Sequence, residues 1–275
     1  MINFEILKKL ETELKLRGFS PNTVKTYTIS NTLFLDWIKK QPEQVTEQDV
    51  KDYLAHLISD KKMAPSSIAL KKAALKFLFD EILKKDIVNL KTPKIPKQVP
   101  VVLTRDEVRK LIDSAGSYKS KVIIQFLYSS GLRLSELINI KINDLEIKEK
   151  IGWVRRGKGN KDRMFFLSER IIKELEKYTL TLEPDEQYLF PGQKGHVSPR
   201  NVQKLLENAA KKAGLKKKVH PHMLRHCFAT HLLDAGVDIR KIQELLGHAN
   251  LQTTQIYTSV SKEELKKVKS PLDSL

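Results

Sequence analysis

The chain has 275 residues, of which 40% are hydrophobic, so it is long enough for one large or two ordinary domains with a sizeable core. No apolar run approaches the length of a membrane span, and a single cysteine excludes an internal disulfide, so we expect a cytoplasmic protein. The formal net charge of +17 favours a polyanionic partner, either nucleic acid or an anionic membrane surface.

Basic residues outnumber acidic ones in both parts of the chain. Residues 1–100 contain 18 basic and 12 acidic residues, and residues 101–275 contain 32 and 21. Both parts could therefore contact the same polyanion. The opening stretch "MINFEILKKLETELKLRG" is amphipathic and mixed in charge, so we expect it to be neither a signal peptide nor an anchor.

Residues 1–90 carry the signals of a helical domain. Ser20 is a predicted helix N-cap with Pro21 at the first helical position. The stretch "TEQD" at residues 46–49 resembles a capping box, and Pro65 stands near the start of another apolar-periodic run. The pattern predicts a bundle of four or five helices.

Residues 91–100 read as a linker. Three prolines alternate with lysines there, and repeated proline makes an extended, semi-rigid spacer. We place the domain boundary in this linker and expect its basic side chains to follow a phosphate backbone. These side chains are Lys91, Lys94 and Lys97.

Residues 101–275 form the predicted second domain. It opens with the capping box "TRDE" at residues 104–107, and helices are expected to about residue 147. Two short strand-like runs in "IGWVRRGKGNKDRMFFL" then flank a glycine-rich turn, which predicts a hairpin. Helical patterns continue from there to the end, so the predicted fold class is mainly α with a small sheet.

Two stretches of this domain place charged residues in unusual settings. In "SSGLRLSEL", Arg133 and Glu136 are three positions apart at a helix start, and apolar neighbours favour a partly buried arginine over a surface ion pair. In "GKGNKD", Lys158 lies between two glycines at the hairpin tip. It is either a solvated turn lysine or one able to reach a phosphate. The P-loop pattern is absent, so ATP binding is unsupported.

The stretch "HPHMLRHCFATHLL" allows two interpretations. His222 and His226 are four positions apart and could bind one zinc ion, but the glutamate of the H-E-x-x-H pattern and a nearby carboxylate ligand are missing. The favoured interpretation is that His222 and Arg225, three positions apart, point to one phosphate. His226 and His231 are then supporting or packing residues, beside His220 and Cys227.

The stretch "LLGHANLQTTQIYTSV" contains a histidine and a tyrosine nine positions apart. Gly247 is expected to end a helix, so His248 directly follows the C-terminal end of that helix. Tyr257 is expected on another short helix further along the chain. Taken alone, Tyr257 reads as an ordinary core or interface aromatic.

Together, "GLRLSEL", "GKGNKDR", "HPHMLRHCFATHLLDAG" and "LLGHANLQTTQIYT" resemble, in order and spacing, the motifs of the tyrosine recombinases, or phage-type integrases, and most of all those of the Xer recombinases. The resemblance covers the whole chain, with residues 1–90 similar to the family's SAM-like core-binding domain and residues 101–275 to its catalytic domain. It implies that Tyr257 is the nucleophile. The other implied catalytic residues are Arg133, Lys158, His222, Arg225 and His248, with Glu136 as the supporting acid.

This residue set suits attack of a tyrosine on a DNA phosphodiester, which gives a 3′-phosphotyrosine and a free 5′-hydroxyl. The paired arginines would supply the charge that a metal supplies elsewhere, so we expect no metal, cofactor or ATP. The short length favours chromosome-dimer resolution at a dif-like site over integration of a mobile element. A type IB topoisomerase and a non-catalytic DNA-binding module are less favoured, and a metal-dependent nuclease would need an acidic cluster that the sequence lacks.

The partners implied are double-stranded DNA with paired inverted half-sites and further copies of the chain, as a tetramer in synapsis. The tail after residue 261 has a capping-box pattern and a short apolar stripe at Leu265 and Val268, so we expect a helix that either docks on a neighbouring copy or stays at its own frayed end. Hairpin residues predicted to contact DNA are Arg155, Arg156, Lys161 and Arg163.

Overall fold

The computed structural model describes residues 2–91, 100–155, 162–193 and 195–247, and it divides the chain into two compact units, Met1–Lys97 and Gln98–Leu275. Each unit has its own hydrophobic core. In the ranges described, no helix is both long enough and apolar enough to cross a membrane.

The first unit is a helical bundle, as predicted. The Ser20 hydroxyl accepts a hydrogen bond from the backbone N–H of Thr23, and Thr46 and Asp49 form the reciprocal capping box. The core centres on Phe34, whose ring meets those of Tyr53 and Phe79 edge to face at 5.0 and 5.6 Å. The helices are α1 (Ile2–Leu16), α2 (Pro21–Ile38), α3 (Glu47–Ser59) and α4 (Pro65–Lys76), which continues into a π-helical turn at Phe77–Ile82.

The second unit is mainly helical with a small sheet, so the predicted fold class is confirmed. Capping residues again mark the helix starts: Thr104 with Glu107, then Ser168 and Ser198. Its helices are α5 (Arg105–Asp113), α6 (Tyr118–Ser130), α7 (Leu134–Asn139), α8 (Glu169–Thr179), α9 (Pro199–Lys212), α10 (Pro221–Asp234) and α11 (Ile239–Leu246).

The sheet of the second unit is larger than the predicted hairpin. Strand β1 (Leu145–Glu146) adds antiparallel to β2 (Ile151–Val154), which pairs with β3 (Arg163–Phe166). The expectation of helix to about residue 147 was therefore wrong, because α7 ends at Asn139 and Leu145 pairs with Gly152 instead. A second small ladder joins β4 (Pro191–Gly192) to β5 (Gly195–His196).

Helix α6 is the central element that positions the site. It is buried from Val122 to Leu127 and contacts α5, α8, α9 and α10. It ends at Gly131, which adopts the left-handed conformation with φ of 62° and lies against the ring of Phe228 on α10. The chain turns there and delivers Arg133 to the start of α7 two residues later.

We expect Gly131→Ala to lower the free energy of unfolding by about 1–3 kcal/mol, because the left-handed conformation disfavours a Cβ and the new methyl group crowds Phe228. An ideal Cβ at Gly131 would lie 2.4 Å from Phe228 Cδ1. Gly214→Ala is the matched control, since Gly214 has φ of 66° but nothing within 4 Å of its Cβ position. Urea unfolding followed by circular dichroism should show a clearly larger loss for Gly131→Ala. Equal losses in the two variants would contradict the crowding.

Candidate active site

The structure describes four of the residues predicted to act in or support catalysis: Arg133, Glu136, His222 and Arg225. It also describes three of the predicted DNA-contacting residues, Lys91, Arg155 and Arg163. The predictions for the following residues fall outside the described ranges: Lys158, His248, Tyr257, Lys94, Lys97, Arg156, Lys161 and the tail from residue 261.

Arg133 and Glu136 are locked together at the start of α7. The Arg133 backbone N–H donates to Glu136 Oε2 at 2.8 Å, and its Nη1 donates to Oε1 at 2.7 Å. The Arg133 Nη2 donates to the carbonyl of Gly247 at 3.3 Å. The spacing of three residues thus lets the Glu136 carboxylate accept hydrogen bonds from both the backbone N–H and the guanidinium of Arg133.

Glu136 is buried yet charged. Burial alone would raise the pKa of its carboxyl, but the charges of Arg163 and Arg133 and the Arg133 hydrogen bonds hold that pKa below its ordinary value. The carboxylate is therefore an anion at neutral pH that orients the two arginines beside it.

Arg225 is fully buried on α10 and is held by two helix ends. Its Nη1 donates to the carbonyl of Gly131 at the end of α6, and its Nη2 donates to the carbonyl of Leu246 at the end of α11, both at 2.6 Å. Carbonyl oxygens at helix C-termini carry partial negative charge and are good partners for a guanidinium. Arg133 and Arg225 are thus both anchored around the segment Leu246–Gly247, which directly precedes His248 in the sequence.

The histidines of α10 differ in their roles. His220 is the helix N-cap, and its Nδ1 accepts from the backbone N–H of Met223 at 3.2 Å. His222 is still open to solvent, but surrounding protein and the charge of Arg225 lower the pKa of its ring. The His226 ring lies 4.4 Å from it, and burial together with His222 lowers the pKa of His226 to about 4. His222 is therefore a neutral base at pH 7, close to a buried arginine.

The remaining members of this stretch face elsewhere. The Cys227 thiol is buried, accepts from the backbone N–H of Leu103 at 3.2 Å and has its pKa raised by burial to about 11. His231 Nδ1 lies 2.8 Å from the hydroxyl of Tyr128. Across the ranges described, histidine, cysteine, aspartate and glutamate side chains form no group of three placed to hold a metal ion.

The predicted DNA-contacting residues occupy two kinds of position. Lys91 and Arg155 are exposed, and the Arg155 guanidinium lies 5.1 Å above the ring of Trp153 and 3.1 Å from Asp162. The side chain of Arg163 is only 13% exposed and pairs with Glu136 inside the protein. The burial of Arg163 could have been predicted from the alternation of side chains along a strand. Arg163 is two residues before the buried Phe165 and therefore lies on the same face of β3.

The lowered pKa of His222 predicts how the reaction depends on pH. The apparent second-order rate constant for covalent adduct formation should be constant above about pH 6.5, the ordinary histidine value, and should fall only at lower pH as the ring becomes protonated. Rates on a nicked duplex at sub-saturating DNA report the free protein. His222→Gln should lose this acid limb, whereas His231→Gln should keep it. A fall in the rate constant centred above pH 6.5 would contradict the assignment of His222 as the proton acceptor.

Two anchored arginines beside a neutral histidine are typical of an enzyme that transfers a phosphoryl group, because the guanidinium forks bind the oxygens and the histidine accepts a proton. The Phage integrase family model matches residues 101–264, and the model of the Phage integrase N-terminal SAM-like domain matches residues 6–89. The chain belongs to the phage integrase family, the tyrosine recombinases, which confirms the resemblance seen in the sequence.

Relatives and solved structures agree with this family. Tyrosine recombinase XerA of Pyrococcus horikoshii is 42% identical over 97% of this chain and 93% of its own length. A crystal structure of XerA recombinase covers 98% of this chain and 100% of its own, at 35% identity and a TM-score of 0.58. The crystal structure of XerH site-specific recombinase bound to a palindromic difH substrate, in a post-cleavage complex, is also similar. The match covers 97% of this chain and 85% of the XerH chain, at 26% identity and a TM-score of 0.76.

Proposed function

We propose that this site-specific recombinase cuts and rejoins DNA through a 3′-phosphotyrosine at Tyr257 and resolves chromosome dimers at a dif-like site. The observation that carries the mechanism is the anchoring of Arg133 on the carbonyl of Gly247 and of Arg225 on the carbonyl of Leu246. The arginines thereby converge on the segment from which the chain continues to His248 and Tyr257. The relatives named XerA and the XerH complex with difH support the chromosomal role, which belongs to chromosome partition and cell division.

Each catalytic side chain has a physical task in this mechanism. A phosphodiester carries one negative charge, and its pentacoordinate transition state gains another, which the two arginines bind. Tyrosine has a pKa near 10 and needs a proton acceptor, for which the neutral His222 is suited. Lys158 protonates the leaving 5′-oxygen, and His248 donates a hydrogen bond to the phosphate.

The covalent intermediate explains why a tyrosine is needed. The energy of the cleaved ester is kept in the protein–DNA bond and is returned when the 5′-hydroxyl of another strand attacks. Binding alone would not require this residue set. The arginines supply fixed positive charge, so the proposed mechanism uses neither a metal ion nor ATP.

The DNA substrate in this proposal is a duplex with paired inverted half-sites in the cytoplasm. We assign residues 1–90 to the core-binding domain, residues 91–100 to the basic linker and residues 101–275 to the catalytic domain. Lys91 and Arg155 are exposed and suited to phosphate contacts.

A nicked suicide duplex tests the proposed function. The nick lets a short fragment diffuse away after cleavage, so the covalent complex accumulates and runs as a slow band on a denaturing gel. We expect this band with a duplex that carries a dif-like pair of half-sites, and recombinant products when two intact sites are supplied. Absence of both under conditions of measurable binding would contradict the proposal.

We further propose that the active assembly is a tetramer in which the tail of one copy docks on its neighbour. The tail's apolar stripe, Leu265 and Val268, is too short a motif for an independently stable helix and needs an apolar surface. A cavity of about 370 Å³ in the second unit offers one, with Phe166, Phe228 and Leu232 among its lining residues.

Deletion of residues 262–275 should leave binding to one half-site nearly unchanged but reduce cooperative filling of two half-sites, because the docking contact is lost. Leu232→Lys in the cavity should reproduce this loss. Leu180→Lys is the control, since Leu180 is 87% exposed and does not line the cavity. Gel-shift titrations on duplexes with one and two half-sites measure the effect, and unchanged cooperativity in the truncated protein would exclude tail docking.

A further inference from the structure

Arg163 is mostly buried, and its guanidinium has partners on two helices. It begins strand β3, and its Nη2 donates to Glu136 Oε2 at 2.6 Å. Its Nη1 donates to the carbonyl of Leu245, near the end of α11, at 2.8 Å. One side chain therefore joins the sheet, the start of α7 and the end of α11.

The Glu136 carboxylate is shared between two arginines. Its Oε1 accepts from Arg133 Nη1, and its Oε2 accepts from both the Arg133 backbone N–H and Arg163 Nη2. A carboxylate held from two sides cannot rotate without breaking a charged hydrogen bond, so Arg163 restricts the position that Glu136 offers to the Arg133 guanidinium. Two arginines against one carboxylate also leave a net positive charge at this point.

Arg163 also lies directly against the backbone of Gly247. An ideal Cβ at Gly247 would be 2.5 Å from Arg163 Cδ and 2.8 Å from its Nε. The Gly247 carbonyl in turn accepts from Arg133 Nη2 at 3.3 Å. Arg133, Glu136, Arg163 and the segment Leu245–Gly247 thus form a closed circuit of contacts.

A buried arginine–carboxylate pair contributes little net stability, because desolvation of both charges offsets their attraction. Its geometric effect is larger, since each guanidinium donates in fixed directions. Burial lowers the pKa of Arg163 and Glu136 opposes this, and arginine stays charged throughout the physiological pH range. The pair is therefore permanently in place at the pH of the reaction.

We propose that Arg163 is a positioning residue for the recombinase reaction, which orients Arg133 through Glu136 and holds the Leu245–Gly247 segment that leads to His248. This role would take the place of the DNA contact predicted for Arg163 as a hairpin residue. It rests on the proposed function, because the readout is formation of the tyrosine–DNA adduct.

The test compares Arg163→Met with Arg109→Met. Both remove one guanidinium that pairs with a carboxylate, but the Arg109 pair with Asp106 is on the surface, with side chains 70% and 78% exposed. At saturating DNA, Arg163→Met should cleave the nicked duplex about 10–100-fold more slowly than the wild type, in the range typical of residues that orient a ligand-binding group. Arg109→Met should cleave at the wild-type rate.

The dependence of DNA affinity on salt separates positioning from phosphate contact. Loss of a phosphate contact reduces the slope of log K against log salt by about one, whereas loss of a buried positioning residue leaves the slope unchanged. We expect Arg163→Met to keep the wild-type slope and an affinity within about threefold of wild type. A reduced slope with an unchanged cleavage rate at saturation would overturn the proposal in favour of DNA contact.

A methylphosphonate at the scissile position separates positioning from a general loss of structure. This linkage lacks the negative charge that Arg133 binds, so a defect transmitted through Arg133 should shrink on it. We expect Arg163→Met to be at least about tenfold less impaired on methylphosphonate than on phosphodiester, with the ratio of the two defects as the readout. Equal defects on both substrates would overturn the proposal.

Arg163→Lys gives a second route if Arg163→Met is not recovered as folded protein. A lysine can reach either Glu136 or the Leu245 carbonyl but cannot bridge them with a planar fork, so partial rescue is expected, between the wild type and Arg163→Met. If the wild type itself forms no adduct, the proposed function fails. If the wild type reacts and Arg163→Lys cleaves both the phosphodiester and the methylphosphonate at the wild-type rates, only the positioning role fails.

Discussion

Replacement of Tyr257 by phenylalanine is expected to abolish the covalent protein–DNA complex while leaving DNA binding within about twofold of wild type, because only the attacking hydroxyl is removed. The measurement is a denaturing gel after incubation with a nicked duplex, beside a native gel shift for binding. The wild type should form the complex in EDTA as well, since in the proposed mechanism Arg133 and Arg225 supply the positive charge at the phosphate.

The control for Tyr257→Phe is Tyr118→Phe. Tyr118 is an exposed tyrosine at the start of α6, and its hydroxyl donates to Glu174 at 3.0 Å. Tyr118→Phe therefore also removes one tyrosine hydroxyl, but at a position far in sequence from the proposed nucleophile. It should form the complex at the wild-type rate. A covalent band from Tyr257→Phe would show that another residue is the nucleophile, and a wild type that is inactive in EDTA would contradict the metal-free mechanism.

Lys158→Ala is expected to slow cleavage of an ordinary phosphodiester by about 10²–10⁴-fold, because the 5′-alkoxide is a poor leaving group without a proton donor. A substrate with sulfur at the 5′-bridging position should restore most of the rate, since a thiolate leaves without protonation. Rates of adduct formation on the two nicked substrates, measured at saturating DNA, give the comparison.

The control for this prediction is Lys148→Ala, which changes an exposed lysine in the turn between β1 and β2. It should behave as the wild type on both substrates. Lys158→Ala with the same defect on oxygen and sulfur substrates would assign Lys158 to phosphate binding, and a wild-type rate on the ordinary substrate would remove it from the mechanism.

The sequence by itself determined helix starts in both units. A helix start can be predicted from a few residues, because the capping side chain accepts a hydrogen bond from a backbone N–H only three residues away. The capping residues of this kind are Ser20, Thr46, Thr104, Ser168 and Ser198. The end of α11 at Gly247 was equally readable. The family was also predicted from the sequence, because its motifs are contiguous runs in a fixed order.

Tertiary structure decided the contacts that join distant parts of the chain. The carbonyl of Gly131, which anchors Arg225, is 94 residues away from it, and the Glu136 partner of Arg163 is 27 residues away. The place of Arg163 in the hairpin suggested a DNA contact, whereas its partners on α7 and α11 became visible only in the packed structure. Strand β1 was missed for the same reason, since the pairing of Leu145 with Gly152 depends on a sheet register that a helix-like local pattern does not reveal. Capping bonds follow from neighbours in sequence, whereas buried charges find their partners only when helices and strands pack together.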